Sequence, residues 1–231
     1  MDVLLRMGRI IKILERIFIY LLCLSVLSGC VYNDEPMPKI VGEATSVNEV
    51  FSPKIIPGIE TGYFGEISAS WIPPKNLEAK RQWQGIIIHH SGTRYGCAAH
   101  EHKYHKSIGW DGLGYHFIIN NGVYENGYGK PDGLVEVGYR WREQQDGSHC
   151  RPSGDLSNYW NKHTIGICLI GDFEQNRPTE RQWRSLVKLI RFLQQRYNIQ
   201  TYQIKGHRDV KPTKCPGRYF SFDELRRRLA K

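Results

Sequence analysis

Short apolar runs and one long amphipathic repeat account for most of the hydrophobic pattern beyond residue 80. The run at 85–89, Gly-Ile-Ile-Ile-His, is continuous and rich in β-branched residues, which predicts a buried strand. A similar run at 164–170 predicts a second buried strand. Between them, apolar stretches at 115–119 and 122–124 flank an Asn-Asn-Gly turn, which predicts two further strands joined by that turn.

Two capping boxes mark helices in the last third of the chain. Thr179 is followed by Gln182, and apolar residues then recur at helical spacing as far as Tyr197. Ser221 with Glu224 opens a shorter C-terminal helix. Strands mixed with helices predict an α/β fold, a single domain with a central mixed β-sheet covered by helices. The apolar positions of the longer helix are Trp183, Leu186, Val187, Ile190, Leu193 and Tyr197.

The first thirty residues follow a different pattern. Four basic residues precede an apolar run at 17–27, which is too short to span a membrane and is typical of a signal peptide. The run ends in Ser-Gly-Cys at 28–30, which resembles the lipobox of bacterial lipoproteins. Cleavage after 1–29 would make Cys30 a lipid-modified N-terminus, and Val31 in place of aspartate implies an outer-membrane anchor facing the periplasm. A plain secretory signal or an uncleaved anchor would show the same apolar run.

Composition and charge narrow the class of protein further. Residues 30–70 carry several prolines, glycines and serines without sustained periodicity, which predicts a lipidated N-terminus and tether before a domain at 71–231. Hydrophobic residues make up 40% and charged residues 24% of the 231, which is ordinary for a chain that builds a core. The net charge of +9 favours polyanionic partners, but export excludes nucleic acid inside the cell. The sequence leaves the oligomeric state open.

Metal-binding residue types stand near the ends of predicted elements. His89 and His90 close the first strand, at the rim of the sheet where sites of α/β folds lie. Far downstream, His207 and Cys215 add a further imidazole and a thiol. Two imidazoles and a thiolate hold Zn²⁺ at three positions and leave a fourth for water, which is the pattern of catalytic zinc. Hydrogen-bonded turn histidines and a free or disulfide-bonded cysteine would show the same residue types.

Four segments, in the same order along the chain, resemble one known family. They are 87–93 with its His-His pair, 109–117 with Gly-Tyr-His, 161–173 with Ile-Gly-Ile, and 206–217 with Gly-His-Arg-Asp and Cys-Pro-Gly. Together they resemble the zinc amidase family that includes peptidoglycan recognition proteins and phage lysozyme-type amidases. The combination is far more specific than any one segment. The predicted helix at 179–197 falls where that family has its long helix.

The resemblance implies a role for each candidate residue. His89, His207 and Cys215 match the family's zinc ligands. His90 is expected beside the site, because successive strand side chains point to opposite faces. Tyr115 matches a catalytic tyrosine whose hydroxyl holds the attacking water or polarises the oxyanion.

Thr213 completes the implied site, since it matches the threonine of catalytic recognition proteins and its hydroxyl would donate to the oxyanion. The implied activity is that of a zinc-dependent N-acetylmuramoyl-L-alanine amidase, a hydrolase that cuts the amide between N-acetylmuramic acid and the L-alanine of the stem peptide. Peptidoglycan or a muropeptide is then the substrate. The alternative is a non-catalytic peptidoglycan-binding lipoprotein. Such relatives typically lack the cysteine ligand, so Cys215 favours the enzyme.

Two other cysteines and one histidine-rich segment need separate interpretation. An exported location permits disulfides, and Cys97 with Cys150 is the candidate pair, because Cys168 lies in an apolar strand pattern and Cys215 has another use. The segment 100–105, His-Glu-His-Lys-Tyr-His, lacks the second histidine of an H-E-x-x-H metal motif. We therefore predict that this segment forms a polar helix face.

Overall fold

The computed structural model describes residues 68–79 and 81–231, so the predicted signal peptide and most of the predicted tether lie outside the described residues. No helix in the described ranges has the length and apolar character needed to cross a membrane. The strands in this part are β1 (Gly85–His90), β2 (Phe117–Ile119), β3 (Val135–Val137), β4 (Thr164–Leu169) and β5 (Ile204–Gly206). The α-helices there are α1 (Lys75–Glu78), α2 (Ala98–Ser107), α3 (Tyr139–Arg142), α4 (Tyr159–His163), α5 (Glu180–Tyr197) and α6 (Phe222–Leu229).

The five strands form one mixed sheet in the order β3-β2-β4-β1-β5. Strand β1 pairs in parallel with both β4 and β5, β2 pairs in parallel with β4, and only β3 runs antiparallel to its neighbour. Every residue of β4 and all but the last of β1 are buried. Strands covered on both faces need continuous apolar runs, and this explains the two runs from which the sequence predicted them. The predicted mixed sheet with helical cover is confirmed.

One face of the sheet packs against α5. Thr179 caps this helix, because its hydroxyl accepts a hydrogen bond from the backbone N–H of Gln182 and the Gln182 side chain accepts from the backbone N–H of Thr179. Burying each large apolar side chain on such a helix contributes about 1.5–3 kcal/mol. The buried apolar residues of α5 are Trp183, Leu186, Leu189, Ile190, Phe192 and Leu193, and they share a core with Ile86, Ile88, Ile165 and Ile167 of the sheet.

The other face of the sheet carries the chemistry. Side chains alternate along a strand, so Ile87 and His89 point away from the face that Ile86 and Ile88 present to α5. Residue 166 is a glycine and Cys168 packs in a separate small cluster with Ala98 of α2 and Ile118 of β2. A small residue at 166 leaves room for polar side chains between the sheet and the loops that cover it.

The predicted hairpin after β2 is wrong. Strand β2 pairs with β3, and 122–124 forms no strand. Asn120 gives the physical reason, because its backbone N–H donates to the Leu134 carbonyl at 3.0 Å and its side-chain amide donates to Glu136 Oε1 at 3.0 Å. These bonds bring residues 134–136 beside β2, and residues 121–133 form a loop outside the sheet.

The candidate disulfide is also wrong, since Cys97 and Cys150 are free and buried. Cys97 precedes α2 next to Gly96, and a Cβ atom added at Gly96 would lie 3.3 Å from Ile170 Cδ1, beyond the carboxyl end of β4. The backbone N–H of Cys150 instead donates to Asn161 Oδ1 at 2.8 Å, before the amino end of β4. The chain at Cys97 thus lies by the carboxyl end of β4, whereas the backbone of Cys150 is held ahead of its amino end.

The C-terminal helix α6 forms half of its predicted capping box. Ser221 Oγ accepts a hydrogen bond from the backbone N–H of Glu224 at 3.1 Å. The Glu224 carboxylate instead pairs with Arg227 at 2.5 Å and Arg228 at 2.6 Å. Two guanidinium groups three and four residues further along the helix therefore replace the backbone N–H as partners of the acid.

Candidate metal centre

Parallel pairing brings the two predicted histidine ligands together. In the register of β1 and β5, Ile88 stands opposite Gly206, so the residues that follow, His89 and His207, leave neighbouring strands side by side. Their imidazole centroids are 4.6 Å apart. Two positions separated by more than a hundred residues in sequence thus become adjacent, because both strands run in the same direction and end at one edge.

Cys215 reaches the same point on the loop that follows β5. The loop first turns through a short 3₁₀ helix at His207–Asp209, whose Asp209 side chain accepts from the backbone N–H of Gly206 at 2.7 Å. It then returns, so that the backbone N–H of Arg208 donates to the Cys215 carbonyl at 2.9 Å. This closed loop places the thiol over the carboxyl end of β1.

The donor atoms of His89, His207 and Cys215 all lie within 4.8 Å of one another. Cys215 Sγ is 3.7 Å from His89 Nδ1. Tetrahedral zinc, with bonds of about 2.3 Å to sulfur and about 2.0 Å to nitrogen, separates two such atoms by about 3.6 Å. His207 Nε2 is buried and has no hydrogen-bond partner within the described part of the chain. A buried polar atom without a partner is costly in free energy, and coordination of a metal ion would satisfy this nitrogen. The three side chains therefore fit a zinc ion.

The electrostatics of the three side chains agree with a ligand role. Burial, and then the positive potential of neighbouring histidines led by His149, holds the pKa of His89 well below its usual 6.5. Burial, and then Lys211, lowers the pKa of His207 to about 4. Both imidazoles are therefore neutral at pH 7, which is the form that binds metal.

Cys215 needs help to become a thiolate. Burial raises the pKa of its thiol to about 12, while the backbone N–H of His90 donates to the sulfur at 3.4 Å and lowers that pKa. A hydrogen bond of this kind stabilises negative charge on sulfur. A cation bound by the two imidazoles would act in the same direction, because metal binding releases the thiol proton.

Tyr115 lies against the same histidine. Its ring centroid is 5.1 Å from that of His89, and the side chain packs against the small cluster that contains Cys168 of β4. Burial, followed by the nearby Cys168 and Cys215, raises the pKa of Tyr115 well above 10. The hydroxyl therefore keeps its proton at neutral pH and is available as a hydrogen-bond donor.

The remaining predicted residues flank this cluster. Thr213 is exposed on the loop, and its hydroxyl oxygen accepts from the backbone N–H of Cys215 at 3.3 Å. His90 turns away from the three donor atoms, and its Nδ1 accepts from the backbone N–H of Phe173 at 3.0 Å. The structure thus places Thr213 beside Cys215, and it separates His90 from His89 as strand alternation predicts.

The structure adds one histidine that the sequence analysis did not assign. His149 is buried, and its Nδ1 lies 3.0 Å from His89 Nε2. The available signal was its position directly before a cysteine in a segment ahead of the buried strand β4. No periodicity or motif spacing connects residue 149 with residue 89, so only the fold shows their contact.

The histidine-rich segment of α2 is not the polar helix face predicted for it. Glu101 and His105 are buried, and His105 Nδ1 accepts from the backbone N–H of Gly114 at 3.1 Å. His102 Nδ1 accepts from the backbone N–H of Leu113 at 3.3 Å. These two imidazoles hold the backbone that leads into Tyr115.

Comparison with known proteins finds relatives that match the part of the chain carrying these residues. The family model for N-acetylmuramoyl-L-alanine amidase (Amidase_2) matches residues 79–218. The endolysin of Escherichia phage T7 is 32% identical over 155 residues, which cover 64% of this chain and 86% of the endolysin. Peptidoglycan-recognition protein 2 of Holotrichia diomphalia is 30% identical over 142 residues, 57% of this chain and 66% of that protein.

A solved structure shares the fold as well. The N-acetylmuramoyl-L-alanine amidase LysC from Clostridium intestinale superposes with a TM-score of 0.53 at 31% identity, covering 65% of this chain and 87% of LysC. The chain spans only about half to two thirds of the length of the recognition proteins it matches. The family match covers more than half of the chain and includes every donor of the candidate metal centre. This chain belongs to the N-acetylmuramoyl-L-alanine amidase (Amidase_2) family.

Proposed function

We propose that this protein is a zinc-dependent N-acetylmuramoyl-L-alanine amidase that cleaves the amide between N-acetylmuramic acid and the L-alanine of the stem peptide. One observation carries the proposal: the donor atoms of His89, His207 and Cys215 converge within 4.8 Å. A binding protein without turnover has no need to bury two neutral imidazoles and a thiol around one point. Zinc held by these three residues supplies an activated water at neutral pH and polarises a carbonyl oxygen.

Tyr115 and Thr213 are proposed to stabilise the oxyanion that forms when water adds to the amide carbonyl. Tyr115 keeps its proton because its pKa is raised, so its hydroxyl donates to negative charge. The Thr213 oxygen already accepts from the backbone N–H of Cys215, and its own proton remains free to point at the substrate. Each such donor is worth about 10²–10³ in turnover when it is aimed at the developing charge.

The test is digestion of purified peptidoglycan by the full-length protein, with mass spectrometry of the released stem peptides. We expect peptides with a free L-alanine amine, loss of their release with a zinc chelator, and recovery when Zn²⁺ is added back. Release of disaccharide fragments or of peptides cut elsewhere would contradict the proposed bond.

Cys215→Ser is the matched variant for this experiment, because it replaces one sulfur by oxygen and leaves the volume nearly unchanged. We expect it to lose both bound zinc and peptide release. Full activity in this variant would refute the ligand assignment. Wild-type protein that binds zinc and peptidoglycan without releasing peptides would favour the alternative, a recognition lipoprotein.

We also propose export and lipid attachment at Cys30, with the domain held at the outer membrane facing the periplasm. The Ser-Gly-Cys sequence at 28–30 supports this proposal. Metabolic labelling with a fatty acid and membrane fractionation test it. A Cys30→Ala variant that still carries label or still sediments with the outer membrane would contradict it.

A further inference from the structure

His149 is a buried imidazole that the proposed chemistry does not use. It lies before α4, and its ring meets that of His89 nearly edge to face, with centroids 5.0 Å apart and planes at 80°. The contact is on the side of His89 that faces away from Cys215, because His89 Nε2 points to His149 while Nδ1 points to the sulfur. His149 is therefore placed to act on a ligand and not on the substrate.

The hydrogen bonds of His149 fix which ring nitrogen carries the proton. Its Nε2 lies 3.2 Å from the Thr164 carbonyl oxygen, and because a carbonyl only accepts, this nitrogen carries the proton. In the neutral ring the other nitrogen, Nδ1, is then an acceptor. His89 Nε2, 3.0 Å away, must donate to it. This leaves His89 Nδ1 without a proton, with its lone pair on the side of Cys215.

Contacts on three sides hold His149 in place. The backbone N–H of His149 donates to Asn161 Oδ1 at 2.9 Å, and Asn161 is itself fixed by a bond from its Nδ2 to Asn158 Oδ1 at 2.7 Å. A Cβ atom added at Gly166 of β4 would lie 2.5 Å from the ring, and one added at Gly147 would overlap the ring as well. The imidazole thus occupies space that only glycine leaves, and it has little freedom to turn.

We propose that His149 is a positioning residue that fixes the tautomer and the orientation of His89 as a metal ligand, through the chain Thr164 carbonyl, His149, His89. This inference rests on the proposed function and deepens it, because it names the group that prepares one ligand. Ligating histidines commonly donate their second N–H to a carboxylate or a carbonyl, which fixes the ring. Here the neutral imidazole of His149 replaces that carboxylate or carbonyl, and the Thr164 backbone carbonyl in turn fixes the orientation of His149.

The first test uses wild-type, zinc-free protein labelled with ¹⁵N-histidine. Long-range ¹H–¹⁵N spectra distinguish a proton on Nδ1 from one on Nε2, and a His89→Gln spectrum assigns the His89 signals. We expect both His89 and His149 to carry the proton on Nε2. A proton on Nδ1 of His89 would overturn the proposal, and this outcome does not depend on turnover.

The second test compares substitutions at 149 by zinc affinity, measured by competition with a chelator. His149→Phe keeps the ring volume and removes both nitrogens, and we expect zinc affinity to fall by about 10- to 100-fold. His149→Asn returns an acceptor oxygen near the position of Nδ1, and we expect it to bind zinc more tightly than the phenylalanine variant. Unchanged affinity in His149→Phe, or no recovery in His149→Asn, would overturn the proposal.

His105→Phe is the matched control, because His105 is also a buried imidazole bonded to backbone, but its hydrogen bond goes to Gly114 and its ring packs on Tyr115, without a hydrogen bond to His89. We expect it to lose stability and to keep the zinc affinity of the wild type. If wild-type protein binds no zinc, the proposed function fails. If wild-type protein binds zinc and releases peptides while His149→Phe does the same, only this inference fails.

Discussion

Gly166 is the residue of β4 on which the metal-site face depends most directly, and Gly166→Ala tests that dependence. The added Cβ would lie 2.5 Å from His149 Cδ2 and 2.6 Å from Cγ, against an ordinary contact of 3.4–4 Å. The ring must therefore retreat by about 1 Å, although hydrogen bonds to Thr164 and from His89 hold it in place. Overpacking of this kind costs about 1–3 kcal/mol, and each weakened hydrogen bond adds about 0.5–1.5 kcal/mol.

We expect Gly166→Ala to lower the free energy of unfolding by about 2–6 kcal/mol and to weaken zinc binding by about 10-fold or more. Urea denaturation measures the first quantity, and competition with a chelator measures the second.

Ile165→Ala is the control, because Ile165 is the neighbouring strand residue on the opposite face, in the core with α5. Ile165→Ala should lower the free energy of unfolding by about 2–5 kcal/mol, as expected for a large-to-small core change. It should leave the zinc affinity of the folded protein unchanged. The reasoning is refuted if Gly166→Ala is as stable as the wild type. It is refuted equally if both variants lose zinc affinity to the same degree.

Three further predictions follow from the same contacts. Tyr115→Phe should lower peptide release by about 10²–10³-fold and keep zinc affinity, as measured by digestion and chelator competition, and full activity would remove Tyr115 from catalysis. Thr179→Ala should lower the free energy of unfolding by about 1 kcal/mol in urea, because it removes half of the α5 capping box, and an unchanged midpoint would contradict that role. Stability should fall as pH drops from about 6.5 to about 4, because burial, and then His102 and Arg140, lowers the pKa of His105 to about 4 and the unfolded chain takes up the proton first. Denaturation at several pH values checks this, and a His105→Phe variant with the full wild-type slope would argue against His105 as a source.

Local pattern determined the secondary structure wherever apolar residues formed a continuous run or recurred at helical spacing. The continuous apolar runs at 85–89 and 164–170 became β1 and β4, and the capped repeat from Thr179 became α5. Strands buried on both faces and helices with one apolar stripe have a recognisable period in the sequence, so these elements could be predicted from it. The hairpin after β2 could not, because β3 is chosen by the bonds that Asn120 makes to Leu134 and Glu136, and those partners lie far along the chain.

The candidate site also combines features that the sequence shows with features that only the fold shows. The residue types of His89, His207 and Cys215, and their family pattern, were recognisable in the sequence. Their convergence depends on the parallel register of β1 with β5, which no local pattern encodes. Cys97 and Cys150 are likewise free, because the fold holds their backbones at different places along β4.

The strongly periodic strands and helices, the types of the ligand residues and the family can all be recognised from the amino-acid sequence. Which of these elements and residues come into contact is set by the tertiary structure. His149 shows the reason, because a hydrogen bond from His89 at 3.0 Å joins residues sixty positions apart. Hydrogen bonds and metal sites depend on distances of a few ångströms, and pairing between distant strands sets those distances.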